Sequence, residues 1–164
     1  MAGSFQGVPS QVVMARLKVP VRLALAEACE WLAGKIKRDI NKGNRTGETP
    51  SKPGEPPRKR TARLFKSIVK LVEDEDDRTI VGYVGTNVKY ARHLEYGFDT
   101  FVTVRPHTRT GKKGKRKGKT WNVTGHFRRM RMYPRPFLRP ALLIHRKQFQ
   151  QVFDRALDRR LRGR

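Results

Sequence analysis

Few residues of this chain could do chemistry. They are one cysteine (Cys29), four histidines (His93, His107, His126 and His145) and a glycine–lysine run at residues 107–120, HTRTGKKGKRKGKT. One thiol cannot form an internal disulfide framework or a cysteine-based zinc site. No two histidines stand four apart and no HExxH occurs, so the usual helical zinc pair is missing. His93-Leu94-Glu95 has the H-x-E spacing of zinc deaminases but lacks their P-C-x-x-C, and it reads as an ordinary helix-face pair. The segment GKRKGKT (residues 114–120) looks like a phosphate-binding loop, yet it has three residues between its glycines where that motif needs four. A strand-like TWNVTGHF follows where a helix would have to begin, so the helix-terminal N–H groups of a phosphate cradle are missing. Ser51 and Ser67 have no arguable His–carboxylate partners, and paired carboxylates are confined to residues 73–77, expected to be exposed with ordinary pKa values. The expectation is a non-enzymatic protein without a cofactor or metal.

What remains is charge. The 164 residues carry 38 Lys and Arg against 14 Asp and Glu, a net charge of +24. Such an excess opposes compaction by self-repulsion and favours polyanions or acidic protein surfaces as partners. It is also segregated, because residues 100–153 contain no Asp or Glu at all. Within that stretch Arg109, Lys112, Lys113, Lys115, Arg116, Lys117 and Lys119 put seven cations into eleven positions. Like charges so crowded predict an exposed, mobile loop unless an anion orders it, and they mark these seven residues as candidates for contact with DNA or an acidic partner. The hydrophobic fraction is 37%, below the usual ~45–50% (which also counts Gly), so part of the chain is expected to be solvated or to meet a partner. No apolar run approaches the ~18 residues of a membrane span, and MAGSFQGVPSQVV lacks the pattern of a secretory leader.

The elements that must position these residues follow from pattern. In PVRLALAEACEWLAGKIKRDIN (residues 20–41), Val21, Leu25, Ala28, Leu32, Ile36 and Ile40 form one apolar stripe, which predicts a helix with Pro20 in its first turn. Residues 1–19 are expected to form an N-terminal arm, of which 11–19 is either a shorter helix or extended. Residues 20–164 are expected to form a single domain. The prolines at 50, 53, 56 and 57 predict a mobile loop over residues 42–60. Residues 65–72 and 79–85 read as a hairpin around the acidic turn, and residues 88–96 as a short helix ended by Gly97. Residues 100–104 and 120–127 read as strands joined by the polybasic loop at residues 106–120. Pro136, Phe137 and Pro140 predict a rigid corner, and a second amphipathic helix runs on to about residue 160. The fold class expected is α+β: a small antiparallel sheet with two long helices packed on it, plus a long hairpin with a cationic tip.

Three segments in this order, PPRKRTARLFKSI (residues 56–68), VGTNVKYARHLEYG (84–97) and RPFLRPAL (135–142), carry a resemblance. They resemble the tail-completion (minor tail component) family of lambda-like tailed bacteriophages, over about residues 20–160. Ala62 stands where that family usually has Gly, and Tyr96-Gly97-Phe98 replaces the commoner Phe-Gly-Thr. The resemblance implies a structural virion protein of the neck that completes the tail and joins it to the head connector. It implies a homo-oligomeric ring, a hexamer or alternatively a dodecamer. The partners it implies are the head-completion protein, the tail tube protein and double-stranded DNA in the lumen. The expected location is the virion, with the host cytoplasm during assembly. His93, Glu95 and Tyr96 are the expected subunit-interface residues, because a short helix in a small domain cannot bury both faces. The alternative is a cellular nucleic-acid-binding protein of ribosomal type, which suits the charge and size but lacks any RNA-binding module signature. A nuclease using His93 and Glu95 is the weakest reading.

Overall fold

The computed structural model describes residues 10–42, 51–58, 62–76 and 78–163, and the side chains of residues 10–16 and Arg116 fall outside that description. The order of elements is α1 (Ser10–Asn41), α2 (Ala62–Ser67), β1 (Ile68–Asp74), β2 (Ile80–Thr86), α3 (Ala91–Tyr96), β3 (Phe98–Val104), β4 (His107–Thr110), a 3-10 turn (Gly114–Arg116), β5 (Thr120–Val123), β6 (His126–Met132) and α4 (Arg139–Leu161). The fold is α+β, as the patterning predicts, with two long helices and small antiparallel sheets. The sheets are three separate two-stranded ribbons, β1–β2, β3–β6 and β4–β5.

Helix α1 buries Ala24, Ala28, Leu32, Ile36 and Ile40 at a strict four-residue spacing, with Cys29 and Ala33 beside them. This is the stripe read from sequence, moved slightly: Leu25 and Val21 are only half-buried. Helix α4 runs antiparallel along α1. Its buried Ala141 joins the cluster around Ile36 and Ile40, while Arg159 and Arg160 near its other end reach Glu27. The fully buried Ala28 and Ala156 leave the two helices room to close on each other. On its other side α1 lies against β1–β2. There Gly82 is required, because a Cβ at that position would stand 2.6 Å from the Cys29 sulfur. Leu64, Ile68, Val88, Ala91 and Phe137 complete the core around Leu32 and Ile36.

Several expectations are corrected. Residues 10–19 are neither an arm nor a separate helix; they continue α1, and Pro20 lies inside it. A proline there removes one helical hydrogen bond, and α1 runs through it into the stretch that packs against the core; Lys18 and Arg22, on either side of it, both reach Asp74, at 3.3 and 3.5 Å. Residues 1–9 lie outside the described residues. Residues 65–67, expected in a strand, close the helix α2. Leu64 buries, and the Ser67 hydroxyl bonds the Leu64 carbonyl at 2.8 Å and the Thr86 hydroxyl at 2.6 Å, so β1 begins only at Ile68. Part of the expected mobile loop at 42–60 is docked. Gly54 N–H donates to the Pro134 carbonyl, and Arg135 donates to the Ser51 carbonyl. Residues 43–50 and 59–60 of that loop lie outside the described residues.

The acidic turn is also more structured than an ordinary exposed cluster. The Asp76 carboxylate accepts from Arg78 N–H, Thr79 N–H and the Thr79 hydroxyl at 2.6–2.9 Å. These bonds, the Arg78 N–H foremost, hold its carboxyl below the usual Asp value, where an ordinary pKa was expected.

Two expected outcomes arise from this architecture. Gly97 ends α3 at φ 70° and ψ 179°, a region essentially reserved for glycine, and a Cβ there would stand 2.7 Å from the Met132 carbonyl oxygen. Gly97→Ala should lower stability by about 2 kcal/mol in urea denaturation, through strain and clash together. The second concerns acid. Hydrogen bonds from Arg159 and then Arg160 hold the Glu27 carboxyl below its ordinary 4.5. A depressed folded value means that the stabilisation is complete above the unfolded value and is lost as pH falls through the folded one. Below pH 4.5 the α1–α4 clamp should therefore weaken. Glu27→Gln should flatten that part of the acid-induced fall in Tm by about 1–2 °C, the size set by an exposed pair worth about 0.5 kcal/mol.

Candidate nucleic-acid interface

The polybasic segment sits at the end of a long arm. Strands β3 and β6 pair from Phe98↔Met132 to Val104↔His126. After a break at residues 105–106 and 124–125, β4 and β5 pair from His107↔Val123 to Thr110↔Thr120. Gly125 lies against the Pro106 ring, and His107 and His126 each bring Nδ1 to within about 3 Å of the carbonyl two residues back. The thirteen residues from Phe98 to Thr110 give the arm a reach of up to about 40 Å at ~3.3 Å per residue. The strand read at residues 120–127 is thus two strands split at Thr124-Gly125, and the two halves belong to different ribbons.

The tip is a closed turn held by backbone hydrogen bonds. Gly111 N–H donates to the Lys119 carbonyl, Gly118 N–H to the Gly111 carbonyl, and Lys117 N–H to the Gly114 carbonyl. Gly114 and Gly118 take positive φ, so the turn closes through backbone bonds while the lysines point outward. Arg109, Lys112, Lys113, Lys115, Lys117 and Lys119 are all exposed, and none has an ion-pair partner among the described residues. Arg116 lies in the 3-10 turn, with its side chain outside the description. Arg109, Lys112, Lys113 and Lys115 border an open concavity of about 780 Å³ beside Trp121, over whose ring the Arg109 guanidinium lies at 5.9 Å. At the base of the arm, Arg129 grips Asp99 in a bidentate pair at 2.9 and 2.7 Å, with Arg131 at 3.7 Å. The acid-free reach of the arm therefore begins just after its single anchored carboxylate.

The three expected interface residues separate. Tyr96 is 69% exposed, and the exposed His93 ring packs edge-on against Phe98 at 4.9 Å. Glu95 is corrected, because it is buried and its carboxylate works inside the monomer. Oε2 accepts from Phe137 N–H at 2.8 Å and Leu138 N–H at 3.1 Å, and Oε1 accepts from Arg139 N–H at 2.9 Å. These are N–H groups at the start of α4, which have no partner within the helix. Phe137 is 1% exposed, and Pro140 lies in the first turn of α4. Pro136 and Phe137 thus join the corner that Glu95 clamps.

No family model, curated protein or solved structure matches the chain. Over residues 84–97, the end of β2, the α3 turn, the Glu95 clamp and Gly97 are four parts of one joint.

A second cationic surface was not read from sequence. Two concavities of about 530 and 420 Å³ share Asn87, Val88 and Lys89 as a common wall. Arg63, Lys66, Lys89, Arg92 and Arg139 line them together, all exposed and without an ion-pair partner among the described residues, and the one carboxylate in the lining, Glu95, is held by its three N–H bonds. The i,i+3 pairs Arg63/Lys66 and Lys89/Arg92 are the signal that could have found it, had α2 been recognised as a helix. Among the described residues no group of three or more His, Cys, Asp or Glu is placed to hold a metal ion, and no helix is long and apolar enough to cross a membrane.

Proposed function

We propose that this chain is a structural subunit of a tailed-phage neck, completing the tail and joining it to the head connector as a homo-oligomeric ring around the DNA channel. The observation that carries the reading is the arm: a hairpin with no acid beyond Asp99 that presents a closed polycationic turn beyond a compact body. A tip of this kind holds phosphates without reading bases, since backbone contact asks only for positioned cations. The lower part of the arm and α4 support assembly too. Phe101, Phe127, Ile144 and Leu143 are exposed large apolar side chains at 65–77% accessibility, more than an isolated subunit needs. In the ring, DNA phosphates in the lumen meet the tips while the bodies meet each other. A tip docked on acidic surfaces of the connector or tube is the competing contact.

Gold-labelled antibody against the chain, applied to intact particles of the phage that encodes it, tests the reading. Label at the head–tail junction is the expected result. Particles without label, with the protein recovered on host ribosomes, would replace it by the ribosomal-type reading.

A further inference from the structure

On a chain of net charge +24, two copies repel over most of their surfaces, so contact between copies is favoured where one presents acid to the other's cations. Free acid is rare. Glu27, Glu30, Asp74 and Asp99 are held in ion pairs, and Glu95 is held by N–H groups. Asp76 is held by its own turn, which leaves Arg78 as the turn's only cation. Four other exposed acids have no ion-pair partner among the described residues: Asp154 and Asp158, each beside an arginine of α4, and Glu73 and Glu75, which stand together at the β1–β2 turn. The cationic groove of Arg63, Lys66, Lys89, Arg92 and Arg139 lies at the opposite end of the same ribbon, where Ile68 pairs with Thr86. Seven paired residues separate the two ends, about 20 Å at ~3.3 Å per residue. A copy therefore cannot fill its own groove with its own turn.

Between the ends, the ribbon face turned away from α1 exposes Val69, Leu71 and Tyr83. An apolar middle flanked by charge is the composition of a protein interface, with an apolar centre and a polar rim.

We infer that the acidic turn of one copy seats in the α2–α3 groove of the next, a head-to-tail contact. Such a contact leaves one free turn and one free groove after each addition, so it propagates until rotation closes it. For that closure the inference rests on the ring reading. At physiological ionic strength, charge beyond ~8 Å is screened, so the local match outweighs the net repulsion.

Sedimentation velocity over a concentration series tests the contact. The species are the wild-type chain, Glu73→Lys with Glu75→Lys, Arg63→Glu with Lys66→Glu and Lys89→Glu, and one chain carrying both sets. Circular dichroism establishes that each is folded, and the corresponding Gln substitutions replace any set that is not. Each single set should raise the association midpoint about tenfold or more, and the chain carrying both should return to near the wild-type midpoint. Wild type that assembles with a midpoint unmoved by either set overturns the contact and leaves the ring reading standing. Open filaments with the expected charge dependence keep the contact and remove the ring. Loss in the single sets without recovery in the combined chain overturns the contact, as does a discrete two-copy dimer. A groove variant that loses duplex DNA while assembling normally also overturns it, and assigns the groove to nucleic acid.

Discussion

Glu95→Ala should cost about 3 kcal/mol of stability, with a fall in Tm of roughly 10 °C. The reason is the number of groups left unpaired. One buried carboxylate accepts from three backbone N–H groups at 2.8–3.1 Å. The first N–H groups of a helix have no carbonyl to reach, and here they are partly or wholly buried. Alanine removes their acceptor and cannot admit bulk water in its place. It also removes an anion from the positive end of the α4 dipole, a position worth up to ~1–2 kcal/mol when partly buried. Glu95→Gln keeps one acceptor oxygen and loses the charge, so it should cost about half as much. The loss is expected to be global, because Glu95 ties α3 to the start of α4 and Phe137, whose N–H it holds, is 1% exposed in the core. Urea denaturation of the three proteins measures this, and an alanine variant within about 0.5 kcal/mol of wild type would show that the clamp is ornamental.

The second large effect concerns the arm. Replacing Lys112, Lys113, Lys115, Lys117 and Lys119 with Gln should leave the fold intact, because all five side chains are exposed and the turn is closed by backbone bonds. It should nevertheless remove most affinity for duplex DNA. If about six cations engage phosphates, wild-type affinity falls about 10³-fold between ~50 and ~200 mM salt. The variant should lose about five from the log–log salt slope, one per lysine, whatever the DNA sequence. Binding measured by fluorescence anisotropy on two unrelated duplexes checks both statements. Equal affinity of wild type and variant, or a flat salt response, would move the tip from DNA to acidic protein surfaces.

Local patterns were legible where one element decides its own environment. The four-residue spacing of Ala28, Leu32, Ile36 and Ile40 needs only a helix with one buried side, and α1 has it. The tip was legible as charge, because no fold could bury seven neighbouring cations. Its closed backbone was not, since glycines at positive φ and cross-turn backbone bonds leave no hydrophobic pattern. Helix α2 was hidden by its own sequence, ARLFKS followed by Ile68 and Val69, which alternates like a strand. Burial of Leu64 and the Ser67–Thr86 hydroxyl pair decide otherwise, and both are tertiary. Glu95 misled for a related reason. A polar residue on a short helix reads as surface until the partner that needs it, the start of α4, is brought beside it. The α2–α3 groove assembles cations from three distant parts of the chain, so no linear window contains it.

The central claim is that copies of this chain close around a channel. Native mass measurement of the purified full-length protein, with negative-stain images of the same sample, tests that claim most directly. A single dominant mass at a fixed multiple of 19.0 kDa, imaged as rings with a central hole, is the predicted result. A 19.0 kDa monomer at every concentration and salt would contradict it.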